Sequence, residues 1–468
     1  MEDANVRTFI YNNLDNSDHV NATVLDYRPG KDRNVTFKIP KLIKALGHIP
    51  SRYLDLLELA SYVFCADRFV KRGGHDSALF SGWQRHFQHI AYVRDYEFWS
   101  AFEVMEILET LLSFMSGDVH KFEFRSGHNT PKITMFDEES YWPPLENKPK
   151  VIMFSGGLDS TCGVYNTLVN TEENIILASH ASQTSSKKTQ RLIVESLNNQ
   201  FNGRLHHLMF ECHLSGTRAN EETQRTRSFL YTAVGAAIAK SYGQDKLYFY
   251  ENGVLSINLP PSEQYQNARA TRTTHPKVLY YLSKLITLIE GSKFELINPF
   301  FDKTKTDIAK LLYDNKGIAL LNNTVSCSRT FDKGVKHAMS HCGRCSQCID
   351  RRFGIAAAGL LEAENKGLYA YDLVVENICP DDDNEYGREE RTMLVDYVRL
   401  GMQLHDMNPD TFQDKWLDQL TDVIDYIEGN SDIDKIQKLS VLFTRHGKQV
   451  LAGISAFQAA YAERLFGK

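Results

Sequence analysis

The sequence contains no long apolar run, no excess of basic charge and no repetitive or low-complexity tract. Its longest apolar stretches, such as residues 354–361, fall far short of the roughly 20 residues needed to cross a bilayer. The opening residues Met1, Glu2, Asp3, Ala4 and Asn5 lack the basic start and apolar stretch of a secretory signal. Lysine and arginine number 53 against 59 aspartate and glutamate, a formal net charge of −6, so the global positive field of a protein that grips long nucleic acid is missing. With 42% hydrophobic and 24% charged residues, the composition excludes a disordered or fibrous chain. A cytosolic globular protein is expected, with no membrane partner and no support for a nucleic-acid partner. At 468 residues it is long enough for two or three domains.

Cysteine is scarce, eight residues in all, yet Cys327, Cys342, Cys345 and Cys348 fall within 22 positions. In a reducing compartment such a cluster points to metal rather than to disulfides. Two overlapping C-x2-C knuckles share Cys345, and Cys327 supplies the fourth corner of a tetrahedral thiolate site suited to structural zinc, with Gly343 easing the turn. An iron–sulfur cluster and a Cys345–Cys348 redox pair are the competing readings, and His341 is an alternative fourth ligand.

From Pro149 onward, short apolar runs at 151–154, 175–178, 207–211 and 247–250 alternate with helical patterns at 160–169, 187–199, 223–241 and after Pro276. This predicts a parallel sheet covered by helices on both faces, with ligands at the carboxyl ends of the strands. The fold class expected is α/β. A Rossmann-like core at 149–365 carries the four-cysteine lobe, preceded by an α+β accessory region at 1–148 and followed by a helical extension at 366–468. The linker is expected at Trp142-Pro143-Pro144. Trp83, Trp99, Arg68 and Arg72 in the first region read as core and carry no site assignment.

The first strand of the core runs into Ser155-Gly156-Gly157-Leu158-Asp159-Ser160-Thr161, where a helix begins. Two glycines allow a tight turn and close approach to a ligand, and the helix start offers free N–H groups, which together make a seat for phosphate. The three hydroxyls add donors, and Asp159 either holds magnesium or caps the helix. The heptapeptide is neither a Walker A loop nor a dinucleotide fingerprint.

It resembles the PP-loop of ATP pyrophosphatases, a HUP-type fold in which ATP is cleaved between its α- and β-phosphates. With Thr324-Val325-Ser326-Cys327 and the run from His341 through Cys342-Gly343-Arg344-Cys345-Ser346-Gln347-Cys348-Ile349-Asp350-Arg351, the chain from Pro149 to Leu361 is similar to the QueC family of 7-cyano-7-deazaguanine synthases. The segment from Arg227 to Leu230, and Pro299, Lys305 and Asp307, are lesser matches. The resemblance implies that a 7-deazaguanine carboxylate is adenylated by ATP with magnesium, releasing pyrophosphate, before an amine attacks the acyl carbon. Asp159, Ser160, Lys305 and Arg227 would be the catalytic residues, and Ser155 to Thr161 the ATP seat. The family's usual substrate segment is replaced here by Glu251-Asn252-Gly253-Val254 and a polar stretch holding Arg269, Arg272 and His275, which are the substrate candidates.

The chain is about twice the length this chemistry needs, a layout that resembles the long QueC-like proteins of antiphage operons, the QatC and type IV CBASS group. That resemblance implies an acceptor amine on a partner protein; an oligomer is equally compatible with it. The rivals are nitrile synthesis with ammonia, tRNA thiolation using Cys162 beside the loop, and a non-catalytic nucleotide sensor. Asp159→Ala is expected to abolish pyrophosphate release with the fold intact.

Overall fold

The computed structural model describes residues 6–12, 21–30, 33–38, 42, 49–73, 84–127, 148–181, 184–216, 219–221, 223–260, 272–328, 340–373 and 385–466. The expected linker at 142–144, Trp83, Arg269 and the acidic run at 380–383 lie outside them.

In the N-terminal region the strands are β1 (Val6–Tyr11), β2 (Ala22–Leu25), β3 (Val35–Phe37), β4 (His86–Val93) and β5 (Val119–Ser126). Four of them form an all-parallel sheet in the order β2-β1-β4-β5. The aromatic-rich run 86–93 is a strand because its side chains are buried on both faces, which removes the alternation expected of a strand with one wet face. The helix Ser51–Phe69 is buried all round from Tyr53 to Asp67, as a helix sandwiched between layers must be.

The core sheet contains β6 (Lys150–Met153), β7 (Ile175–His180) and β8 (Leu205–Phe210), followed, after a short β9 (Cys212–Leu214), by β10 (Lys246–Tyr248) and β11 (Glu295–Ile297). All neighbours in the order β11-β10-β6-β7-β8 are parallel. The predicted α/β core is therefore present, with one strand more than expected: β11, at three residues, is too short to show a pattern. Alternate residues face opposite helical layers. Val151, Met153, Ile176 and Ala178 join the cluster on one face; Ile152, Phe154, Ile175 and Leu177 join the other.

Two features bind the N-terminal region to the core. Helix Ser51–Phe69 shares a single buried cluster with helix Arg227–Ser241 and with residues of both sheets. In addition, β3 pairs antiparallel with β9, with Val35 opposite Leu214 and Phe37 opposite Cys212. The C-terminal region is helical, as expected: Glu385–Leu404, Pro409–Ile424 and Asp432–Phe466. Asn408 caps the second helix by accepting from Thr411 N at 2.9 Å, with Pro409 in its first turn. These helices pack on the core through Phe353 and Val450, and through Ile257 and Leu442. No described helix is long and apolar enough to cross a membrane.

Several histidines are buried neutral: burial lowers His120, His180, His207 and His446 from 6.5 to about 4. Between these values the unfolded chain binds protons that the folded chain refuses, so their contribution is complete above pH 6.5 and is lost as pH falls toward 4. Each costs about 2 kcal/mol of stability between pH 7 and pH 5. Thermal melts across this range are expected to show a steep fall in Tm. His446→Gln should make that fall shallower, and an unchanged slope would contradict the neutral burial of His446.

Candidate active site

The order of the core strands reverses direction between β6 and β10, the switch point at whose carboxyl ends open α/β sheets form their ligand crevice. Residues 155–157 leave β6 there. Gly156 has φ +80°, a conformation that side chains rarely adopt, and it turns the chain into helix Leu158–Asn170. The helix has no side-chain cap. Ser155 Oγ accepts from Gly157 N at 3.2 Å and lies 3.0 Å from Ser160 Oγ, so the loop's hydroxyls fold onto its own backbone. Thr161 Oγ1 is buried and has no partner among the described residues.

Asp159 neither caps the helix nor lies free in solvent, which corrects the capping alternative. It sits in the first turn, and its carboxylate turns across the crevice. Oδ1 accepts from Lys305 Nζ at 2.6 Å, and Oδ2 accepts from the backbone and side-chain nitrogens of Asn252 at 3.1 and 3.0 Å. The expectation that Asp159→Ala spares the fold is corrected too. Lys305 is 4% exposed and Asp159 7%, and removing one partner of a buried ion pair costs about 3–5 kcal/mol.

Lys305 opens helix Lys305–Asp314, whose capping box joins Thr304 and Asp307. Burial opposes its charge, but Asp159 and Asp350 overcome this and raise its pKa. Asp350 lies 3.7 Å away on helix Ser346–Ala357 and accepts from Tyr397 of the C-terminal region at 3.1 Å. Burial raises Asp350 to about 6, against the pull of Lys305. Asp307 does not face the crevice in this arrangement. Besides its capping role it pairs with Arg445 at 3.1 Å and accepts from Gln449 at 2.9 Å.

The remaining sequence candidates separate. Arg227 begins helix Arg227–Ser241 and donates to Thr273 Oγ1 at 3.3 Å through two nitrogens. Glu251 accepts from Thr274 and is influenced by the charges of Arg227, Asp159 and Lys305, which places it with the crevice. Arg272 donates to the Phe114 carbonyl at 2.5 Å and lies over the Phe114 ring, so it is tied to the N-terminal region. His275 is 4% exposed and caps helix Pro276–Glu290 by accepting from Lys277 N at 3.2 Å. Burial lowers it to about 3, with Arg272 and Lys277 acting in the same direction, and it is neutral. Cys162 is buried against the Ile308 carbonyl and its thiol is raised by burial, the opposite of a nucleophile's setting. Trp99 and Arg72 are core: Trp99 donates to Asp55, and Arg72 forms a buried two-pronged pair with Asp118 at 2.8 and 2.6 Å.

The four cysteines converge. Their sulfurs all lie within 4.8 Å of one another, with Cys342–Cys348 at 3.8 Å and Cys327–Cys345 at 4.0 Å. Zinc–sulfur bonds of about 2.3 Å require tetrahedral edges of about 3.8 Å, so the donor set fits zinc with no position left open. Backbone N–H groups of Arg344 and Cys345 point at Cys342 Sγ at 3.4 and 3.2 Å, which stabilises thiolate charge. His341 is not in the set. It stacks on Tyr369, and its Nε2 accepts from Ser326 N at 3.4 Å. Gly343 has φ +80°, and a Cβ there would lie 1.8 Å from the Tyr371 carbonyl, so the knuckle requires glycine.

This lobe holds the loop at 155–158. Val325 N donates to Gly156 O at 3.0 Å, and Leu158 N to Ser326 Oγ at 3.4 Å. Arg351, wholly buried, donates to Thr324 Oγ1 at 2.6 Å, to the Leu321 carbonyl at 2.9 Å and to Glu364 at 2.7 Å. Sequence reasoning quoted Asp350 and Arg351 within a motif but gave neither a role; their partners come from remote parts of the chain.

Purified protein should carry one zinc per chain and be colourless. Cys345→Ala should lose the metal and melt at lower temperature, as read by elemental analysis and calorimetry. A soluble variant with unchanged metal content would refute the four-thiolate site.

No curated protein matches the chain. Residues 205–359, about a third of the sequence, match the family described as queuosine biosynthesis protein QueC. That segment runs from the start of β8 past the cysteine lobe and includes Lys305, Asp350 and Arg351; the loop at 155–161 precedes it. The match suggests an ATP-utilising enzyme of the PP-loop class.

Proposed function

We propose that this chain adenylates the carboxylate of 7-carboxy-7-deazaguanine, converting ATP to AMP and pyrophosphate, and then joins the acyl group to an amine. The observation that carries this reading is the buried Lys305–Asp159 pair at the mouth of a phosphate-type loop, itself held by a four-thiolate lobe. Attack of a carboxylate on the α-phosphate needs little proton transfer and much positioning and charge neutralisation.

The chain's own groups meet those needs. The uncapped start of helix Leu158–Asn170 and the hydroxyls of Ser155 and Ser160 offer donors to phosphate oxygens. Lys305 is held charged at the crevice, ready to exchange part of its contact with Asp159 for a phosphate oxygen. Magnesium bound with ATP would supply further neutralisation of the leaving pyrophosphate, with Asp159 its nearest carboxylate in the loop. Arg227, half-buried on a separate helix, supplies a second cation.

The acceptor amine proposed here belongs to a partner protein. The support is architectural: residues 6–127 and 385–466 add layers around a segment that would suffice for activation and capture of ammonia.

Pyrophosphate release and intact mass spectrometry test this reading with ATP, magnesium and 7-carboxy-7-deazaguanine, with and without proteins encoded beside this one. A mass gain of deazaguanine size on a partner is expected. Formation of the nitrile from ammonia, with no protein adduct, would replace the acceptor, and absence of pyrophosphate would refute the enzyme. Asp159→Asn keeps an acceptor for Lys305 and should remain folded while pyrophosphate release falls at least about 100-fold. Lys305→Met, which leaves Asp159 and Asp350 buried without their cation, should lose both stability and pyrophosphate release, so near-native activity in either variant would remove the pair from the mechanism.

A further inference from the structure

The crevice holds a carboxylate that neither supports the loop nor suits an anionic leaving group. Glu251 follows β10, one residue before the Asn252 that binds Asp159. Its backbone is clamped to the end of β11: Glu251 N donates to Asn298 Oδ1 at 3.2 Å, and Asn298 Nδ2 donates to the Glu251 carbonyl at 2.8 Å. Its side chain is held by one oxygen. Oε2 accepts from Thr274 Oγ1, which in turn lies 2.9 Å from Ser256 Oγ. Oε1 meets no donor among the described residues, and the residue as a whole is half-buried.

The charged groups around it come from three helices: Arg227 from Arg227–Ser241, Asp159 from Leu158–Asn170 and Lys305 from Lys305–Asp314. Burial raises the carboxyl above its ordinary value, Thr274 and Arg227 pull it back, and Asp159 adds to the rise. A fixed carboxylate with one free oxygen beside a phosphate seat repels triphosphate but attracts a cationic or proton-bearing nitrogen.

We propose that Glu251 is the base of the amine-transfer half of the reaction. As the amine nitrogen bonds to the acyl carbon and the bond from that carbon to the AMP oxygen breaks, Glu251 Oε1 takes the proton that the nitrogen must lose. The products are the amide, AMP and a protonated Glu251, which returns its proton to water. This assignment rests on the adenylating reading above.

Glu251→Gln keeps the shape and an acceptor for Thr274 while removing the base, and circular dichroism with a thermal melt checks that it folds. The enzyme is given ATP, magnesium and 7-carboxy-7-deazaguanine. First-turnover pyrophosphate is measured separately from amide formed with ammonium and Nα-acetyl-lysine amide supplied together, and then with hydroxylamine, which is largely unprotonated at neutral pH. The expected result is first-turnover pyrophosphate within threefold of wild type, amide formation down about 100-fold or more, and hydroxamate formation within a few-fold of wild type. Four results overturn the assignment. One is pyrophosphate and amide falling together, which makes Glu251 part of the ATP seat. Another is amide formation within threefold of wild type. A third is a wild type that releases pyrophosphate but captures neither amine. The last is a Glu251→Gln chain that fails to fold while Glu251→Asp folds and keeps native amide formation. A wild type that releases no pyrophosphate defeats the adenylating reading itself, an outcome distinct from the others.

Discussion

The architecture converges on one buried ion pair. An ammonium in a low-dielectric interior is costly unless matched, and Lys305 is matched by Asp159 at 2.6 Å and Asp350 at 3.7 Å. Each partner arrives on a different element. Asp159 comes from the loop after β6 and is pinned by Asn252 after β10; Asp350 comes from the helix that ends the cysteine lobe and is pinned by Tyr397 of the C-terminal helices. Gly354 admits the lysine's stem, since a Cβ there would lie 2.6 Å from Lys305 Cγ. The pair thus gives the sheet, the lobe and the C-terminal layer one shared electrostatic requirement.

The lobe meets a second requirement, rigidity of a loop that has little of its own. Residues 155–157 lie between strand and helix with a left-handed glycine, and a ligand seat must keep its donors aimed before the ligand arrives. The segment 324–327 does this from outside: it bonds Gly156 and Leu158, receives Arg351 beneath it and ends in the first metal ligand. The cysteine cluster and the loop are therefore joined through four residues of chain. Arg351 and Arg352 share Glu364, a buried network that is favourable because each charge is both paired and hydrogen-bonded.

How much of this was legible in the sequence depended on the range of the interaction concerned. The glycine pair after an apolar run and the cysteine knuckles are local signals, and both mark features that the structure contains. The alternation of short apolar runs and helices was equally local and led to the parallel core. Strand β4 was not legible as a strand because His86–Val93 is covered on both faces. That Asp159 does not cap its helix was not legible, because the partners that hold its carboxylate lie 93 and 146 positions away. His275 looked like a site residue because histidine before proline in a polar stretch resembles a ligand contact, whereas it ends as a helix cap under Phe114.

The shared cluster between helix Ser51–Phe69 and helix Arg227–Ser241 has a consequence for synthesis. The first helix is buried on every side in the finished protein, yet the helix that covers it begins ~160 residues later, which takes roughly 10–30 s to translate. During that interval Leu56, Leu57 and Phe64 have no final neighbour from the second helix, and β3 waits equally for β9. The N-terminal region is thus not a module finished early and then docked; its last layer is laid down by helices and strands of the core that are synthesised later.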